Sequence, residues 1–371
     1  MIPSQPLPAT ARTAAPSGKI RVLIVDDSAV IRGLVTRWLS EDPGVEVVGS
    51  VMNGQEGVRK AGELRPDIVI LDIEMPVMDG LAALPGILTA APQARVIMAS
   101  TLTQKGAEVT IKALSLGAAD YLPKPDAGRI AGAQVYRDEL LAKVKALGAR
   151  RLRSALGATA QSPAAAPPVR LRPAARTAPA EVLVIGSSTG GPQALREVIG
   201  ALAGRIHVPV LITQHMPPTF TAALAQHLSR QTGAPVSEAK DGDLLRPGHF
   251  LIAPGDFHMT IVRKGAIPSV ALDQNPPENF CRPAVDPLFR SAAAAYGGRT
   301  LGLVLTGMGS DGKHGGQAIV DAGGVVLAQD EASSVVWGMP GAVANAGLAA
   351  AVKPLKELAP LALTLLRGAS R

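Results

Sequence analysis

Val-Leu-Val-Ile-Gly-Ser-Ser-Thr-Gly-Gly-Pro, residues 182–192, decides how the second half of this chain folds. The apolar run Val182–Ile185 reads as a buried strand, and Pro192 opens a helix over Gln193–Ala203. Between them Gly186, Gly190 and Gly191 permit a sharp turn. A strand wholly apolar on both faces suits a parallel sheet covered by helices, so a doubly wound, mostly parallel α/β domain is expected. The turn Gly186-x-Ser188-x-Gly190 also has the form of a nucleophile elbow, which lifts one hydroxyl above the carboxyl edge of a sheet. The following helix N-terminus offers unpaired N–H groups for an oxyanion. Two rival readings exist. One is a plain tight turn; the other is the loop of a nucleotide-binding sensor, where Ser188 would replace the second glycine and hinder pyrophosphate approach.

Working outward, strand Val208–Thr213 leads into helix Phe220–Gln231, Gly248–Val262 reads as a β-hairpin turning at Pro254–Gly255, and strand Leu301–Leu305 meets a glycine-rich loop and a helix. A serine nucleophile needs a base at the same sheet edge. His215 follows its strand by two residues and fits; His314, opening a helix, is the geometric rival. The imidazole needs a carboxylate to fix its tautomer, and Asp311 in Thr-Gly-Met-Gly-Ser-Asp-Gly (306–312) lies at that edge. Asp286 competes, but Pro287 and the apolar residues after it suggest a helix start with Asp286 as its cap. The glycines around Met308 free its backbone N–H to serve as an oxyanion donor.

The first half alternates in the same way. Strands Ile20–Val25, Val45–Gly49, Asp67–Leu71, Arg95–Ala99 and a short one at Tyr121–Leu122 alternate with helices Ser28–Ser40, Gln55–Leu64, Leu81–Leu88 and Gln104–Leu116, followed by a long helix from about Val135. This pattern predicts a flavodoxin-like sheet, whose chemistry gathers outside the carboxyl ends of the strands. Those ends carry Asp26, Asp27, Asp72, Ser100 and Lys124. Converging carboxylates repel unless a cation sits among them, and hard oxygen ligands suit Mg²⁺. Asp72 is then free to attack a phosphoryl group, with Lys124 and the Ser100 hydroxyl on the phosphoryl oxygens.

Bulk composition sets the remaining expectations. The length of 371 residues and 47% hydrophobic content allow two domains, each with its own core. The single cysteine, Cys281, rules out an internal disulfide and fits a reducing compartment; no leader pattern or membrane-length apolar run is present, so a soluble cytoplasmic protein is expected. The net charge of +7 is concentrated between Leu140 and Ala180, which holds eight basic residues and no acidic one. A basic Ala/Pro-rich stretch without aromatics is a solvated tether, so neither nucleic acid nor membrane insertion is implied.

Val-Asp-Asp-Ser (25–28), Leu-Asp-Ile-Glu-Met-Pro-Val-Met-Asp-Gly (71–80), Ser100 and Lys-Pro (124–125) resemble the response-regulator receiver domain. That resemblance implies Asp72 as phosphoacceptor, a histidine kinase as donor, Asp26 and Asp27 as Mg²⁺ holders, and Glu74 supplying a backbone carbonyl to the metal. It also puts Tyr121 where receivers keep a switch aromatic, although a core residue fits too. Ile-Gly-Ser-Ser-Thr-Gly-Gly (185–191), Ile-Thr-Gln-His-Met-Pro-Pro (212–218), Ile-Ala-Pro-Gly (252–255), Arg-Pro-Ala-Val-Asp (282–286) and Leu-Thr-Gly-Met-Gly-Ser-Asp-Gly (305–312) resemble the catalytic domain of chemotaxis-type protein-glutamate methylesterases. This implies Ser188, His215 and Asp311 as triad, Met308 as oxyanion donor, and no catalytic metal. The implied substrates are glutamyl methyl esters, and certain glutamines, on chemoreceptor cytoplasmic domains. The expected organisation is a disordered 1–18, a receiver at 19–140, a helix extension and linker at 141–180, and a catalytic domain at 181–371. Ser187 stands where that family has a small residue, a change expected to matter little.

Overall fold

The computed structural model describes residues 18–124, 130–157, 171–172, 178–263 and 267–367. The expected disorder of 1–18 (Gly18 apart), Pro125, and the linker at 158–170 and 173–177 lie outside the described residues.

The first sheet is built from β1 Ile20–Val25, β2 Val45–Val51, β3 Ile68–Asp72, β4 Arg95–Ser100 and β5 Asp120–Pro123, in the order β2-β1-β3-β4-β5 and parallel throughout. Helices α1 Ala29–Ser40, α2 Gly54–Leu64, α3 Gly80–Ala90, α4 Gln104–Ser115 and α5 Ile130–Gly157 connect and cover it. Strands β3 and β4 are apolar nearly end to end and buried, as a sheet covered on both faces demands. Side-chain caps start the helices: Ser28, Asn53, Asp79 and Thr103 each accept a hydrogen bond from an N–H in the following first turn. The strand order reverses between β1 and β3, so Asp26 and Asp72 face each other across the crevice where such sheets bind ligands.

The second sheet has seven strands in the order β14-β13-β12-β6-β7-β9-β8, every pairing parallel. They are β6 Val182–Ser187, β7 Val210–Gln214, β8 Val236–Glu238, β9 Phe250–Ile252, β12 Thr300–Val304, β13 Val325–Gln329 and β14 Ala349–Lys353, with a separate ribbon of β10 His258–Val262 and β11 Ser269–Asp273. The helices are α6 Gly191–Leu202, α7 Phe220–Thr232, α8 Val285–Tyr296, α9 Lys313–Asp321, α10 Met339–Asn345 and α11 Leu355–Arg367. Its switch point lies between β6 and β12, which places Ser188 and the 306–312 loop at one crevice.

The hairpin expected over Gly248–Val262 does not form. Strand β9 joins the main sheet between β7 and β8, and β10 pairs instead with β11. Pro254–Gly255 does open a tight turn, closed by the Phe257 N–H on the Pro254 carbonyl (3.3 Å), but the strands on either side do not pair with each other; Gly255 packs on the loop after β7, where a Cβ would lie 2.2 Å from the backbone nitrogen of Pro218. A Pro-Gly pair between apolar runs is a turn signal, and here the glycine also serves close backbone approach.

The two halves are docked. The α4, β5 and α5 side of the first sheet meets α6, α7 and the loop 333–338, and one buried apolar cluster runs from Leu23 and Met98 through Tyr121 to Phe220 and Leu224. Gln193 at the start of α6 donates to the carbonyls of Leu114 and Ala118, at 2.8 and 2.5 Å, closing the C-terminal end of α4.

Candidate active site

Strand β6 ends at Ser187, and the chain turns through Ser188 into α6, with Gly190 at φ +76°. Left-handed backbone favours glycine there, and a Cβ would also come within 2.5 Å of Val335. The Ser188 N–H donates to the Thr306 carbonyl (3.0 Å), fixing the turn against the loop after β12. A Cβ on Gly307 would lie 2.8 Å from that of Ser188, so glycine lets the 306–308 backbone pass beside the nucleophile candidate. Ser187 does more than fill space: its buried hydroxyl donates to Gln214 (2.7 Å), whose amide donates to the Ser188 carbonyl (3.0 Å). The backbone N–H groups of Thr189 and Met308 have no partner among the described residues, which suits both to receive an oxyanion.

His215 comes from the neighbouring strand, its N–H bonded to the Ser187 carbonyl at 3.1 Å. Its Nε2 lies 2.8 Å from Asp311 Oδ2. Asp311 is buried and also accepts from the backbone N–H of Val285 (2.6 Å), Asp286 (3.0 Å) and Gly312 (2.9 Å), and from Asn279 Nδ2 (2.9 Å). Burial opposes its charge, but His215 and these N–H groups hold it below the usual carboxylate range.

The other imidazole nitrogen, Nδ1, faces Cys281 Sγ at 3.4 Å. The Ser188 hydroxyl has no hydrogen-bond partner among the described residues, so the structure brings Ser188, His215 and Asp311 to one sheet edge without closing the serine–histidine bond. Burial disfavours a charged imidazole, yet Cys281 and Asp311 outweigh it and push the His215 pKa up to about 10.

Asp286 corrects an expectation. It sits inside the first turn of α8 rather than at its cap, and its carboxylate caps a different helix, accepting from the N–H groups of Gly312 and Gly315 at the start of α9 (3.0 and 2.7 Å). Burial and the adjacent Asp311 charge raise its pKa. His314 lies in the first turn of α9, and the Asp311 bond goes to His215. Cys281 and Asn279 were not legible as site residues, and Asp286, the rival carboxylate, lies beside Asp311 and shares Asn279 with it while Asp311 takes the bond to His215.

At the first sheet, one carboxylate oxygen each from Asp26, Asp27 and Asp72 lie within 4.8 Å of one another. Lys124 Nζ reaches Asp26 (2.9 Å) and Asp72 (2.8 Å). A cavity of about 270 Å³ opens over them, lined by Asp27, Asp72, Glu74, Ser100 and Lys124 among others. Burial, with the nearby Asp26 charge, pushes Asp72 up to about 6 against the pull of Lys124. The Ser100 hydroxyl is 3.3 Å from the carbonyls of Thr101 and Gly106, turned toward α4. Tyr121 is buried away from this pocket and stacks on Phe220 of α7, with ring centroids 5.0 Å apart. Asp120 beside it accepts from the Thr189 hydroxyl (2.7 Å) and pairs with the buried Lys143 (3.1 Å).

Residues 183–362 match the CheB methylesterase family and residues 22–133 the response regulator receiver domain. The chain is 53% identical over 365 residues to protein-glutamate methylesterase/protein-glutamine glutaminase 1 of Paramagnetospirillum magneticum, covering 93% of this chain and 96% of that one. It is 52% identical over 377 residues to the protein-glutamate methylesterase/protein-glutamine glutaminase of Azospirillum brasilense, covering 96% of each. The crystal structure of the Thermotoga maritima CheB methylesterase catalytic domain aligns with a TM-score of 0.49 and 39% identity over 50% of this chain and 98% of that one. Carrying both modules along one chain, the molecule belongs to the protein-glutamate methylesterase/protein-glutamine glutaminase family, hydrolases joined to a response-regulator receiver.

Proposed function

We propose that the chain is a cytoplasmic, phosphorylation-activated enzyme that removes methyl groups from glutamyl esters on chemoreceptor cytoplasmic domains and deamidates glutamines there, using Ser188, His215 and Asp311. The observation that carries the chemistry is the Asp311-held imidazole on β7, adjoining a Ser188 whose hydroxyl is unengaged beside two free N–H groups. Because Nε2 is committed to Asp311, Nδ1 is the nitrogen that takes the proton from Ser188 Oγ as the oxygen attacks the ester carbonyl. The tetrahedral oxyanion is received by the N–H groups of Thr189 and Met308. Imidazolium then protonates the departing methoxide, releasing methanol, or the departing amide nitrogen, releasing ammonia. Water, deprotonated at the same nitrogen, cleaves the acyl-serine to free glutamate and restores Ser188.

The receiver supplies control. Asp72 accepts the phosphoryl group from a histidine kinase, with Lys124 supplying a fixed positive charge. Asp26, Asp27 and Asp72 have the oxygen donors and spacing for Mg²⁺, together with the Glu74 carbonyl. Bound there, Mg²⁺ would offset carboxylate and phosphoryl charge. Unphosphorylated, the receiver lies over the turn that bears Ser188, with Asp120 bonded to Thr189 and Tyr121 packed on Phe220, which limits access for a protein substrate. Phosphorylation shifts the population to an open arrangement. The test is methanol release from methylated receptor membranes with and without a phosphoryl donor. Release should rise with the donor and vanish in Ser188→Ala; a Ser188→Ala chain with near-normal turnover refutes the serine mechanism.

A further inference from the structure

The rim of the Ser188 crevice carries a strained and heavily clamped turn. Glu278 and Cys281 exchange both backbone hydrogen bonds, 3.1 and 2.9 Å, leaving Asn279 and Phe280 as a two-residue loop. Both have left-handed backbone, at φ 52° and 63°. Such turns favour glycine, above all at the second central position, and an aromatic residue there carries a steric penalty that glycine avoids. The neighbours of Phe280 are tied down on every side. Glu278 is held by Arg290 at 2.6 and 2.9 Å, and Arg282 by Asp256 at 2.6 and 3.0 Å. Asn279 bridges Asp286 and Asp311, and Cys281 meets His215. The Phe280 ring alone in this turn stands fully in solvent.

We infer that Phe280 is a specificity-determining anchor, docking an apolar side chain on the surface of the protein segment that carries the ester. The inference rests on the esterase reading above. A γ-ester carbonyl lies only a few bonds from its backbone, so a protein substrate that delivers it to Ser188 must rest its own surface on the crevice rim. Phe280 occupies that rim, since the residues on either side of it touch Asp311 and His215. A solvent-facing aromatic on a firmly clamped turn is a partly preorganised contact: the cost of ordering its backbone is met in the free enzyme, and its apolar face gains only when a partner covers it. A small soluble ester brings no protein surface to lay on it.

The test compares the full phosphorylated chain with Phe280→Ala, Phe280→Gly and Phe280→Leu on methylated receptor membranes and on a soluble N-acetyl glutamyl γ-methyl ester. For the receptor, Phe280→Ala should lower kcat/KM roughly tenfold, mainly through KM, as loss of an apolar anchor does. Phe280→Leu should recover most of it, and the small ester should be cleaved with far less loss. Phe280→Gly should melt no lower than wild type, because it removes the strain. An equal fall on both substrates, an unchanged receptor KM, or a lowered melting temperature for Phe280→Gly overturns the anchor. Failure of the wild type itself to exceed Ser188→Ala on the soluble ester instead overturns the esterase reading.

Discussion

Removing one hydroxyl at the domain junction should loosen control of the enzyme. Thr189 follows the nucleophile candidate directly, and its Oγ1 donates to Asp120 Oδ2 at 2.7 Å across the interface. Asp120 stays paired with the buried Lys143 in a Thr189→Val chain, so the substitution removes a hydrogen bond without orphaning a charge. A hydrogen bond to a charged acceptor is worth about 1.5–3 kcal/mol net, which corresponds to roughly a 10- to 150-fold shift in the docked–undocked equilibrium. The readout is the ratio of methanol-release rates, unphosphorylated over phosphorylated. Any direct harm to the adjoining Ser188 or to the oxyanion N–H cancels in that ratio. The ratio should climb toward one by about tenfold or more, unless full opening caps it first, while Thr189→Ser should keep the wild-type ratio. A Thr189→Val ratio indistinguishable from wild type refutes the view that this bond helps hold the receiver over the site.

Further outcomes follow from the same geometry. Cys281→Ala should lower the His215 pKa from about 10 and move the acid limb of the pH–rate profile to lower pH, because the contact with Cys281 is a leading cause of the elevation; an unmoved limb contradicts this. Since His215 binds its proton more tightly folded than unfolded, its stabilising contribution is complete below about pH 6.5 and lost as pH rises toward 10, a decline that denaturant titrations of His215→Ala should lack. Asp72, pushed up to about 6 by burial, weakens the fold as it ionises above its unfolded value near 3.8, so Asp72→Asn should raise the melting temperature at pH 7 while abolishing activation by a phosphoryl donor. Asp311→Asn should cut kcat by about 10⁴, as losing the orienting carboxylate does in other triads, with substrate affinity little changed.

Much of this architecture was legible because parallel strands buried on both faces leave apolar runs that need no tertiary context, as at Val22–Val25 and Val182–Ile185. The residues just past those runs fall at the carboxyl edge by topology alone, which is why Asp72, Ser188, His215 and Asp311 could be assigned to two crevices. What escaped depends on pairing between distant segments. Ala349–Lys353 has little β-branched character, and its place as edge strand β14 comes from its ladder with β13. The Pro254–Gly255 turn signal misled because the true partner of β10 lies at Ser269–Asp273. Asp286 looks like the cap of its own helix until α9 is packed beside it, after which the free N–H groups of Gly312 and Gly315 become its partners. Likewise Cys281 reads as a small, partly buried residue until the 278–282 turn carries it to His215.

The two crevices are connected by a single short strand. At one end of β5, Asp120 binds Thr189 of the nucleophile turn; just past its other end, Lys124 binds Asp72 and Asp26, its own N–H held by the Ser100 carbonyl. Tyr121, next to Asp120, is stacked on Phe220 and lies under the Lys143 ammonium, which donates to the Tyr121 carbonyl. On the proposed reading, a phosphoryl group on Asp72 would compete for Lys124, which would change the pull on the β5 terminus. Four strand residues, at ~3.3 Å each, separate that event from the Thr189 bond. A strand so short and so fixed by ions at both ends does not absorb displacement within itself. On that reading, a change in the acidic pocket would be felt where Asp120 and Tyr121 grip the catalytic domain, through the Thr189 bond and the Phe220 stack.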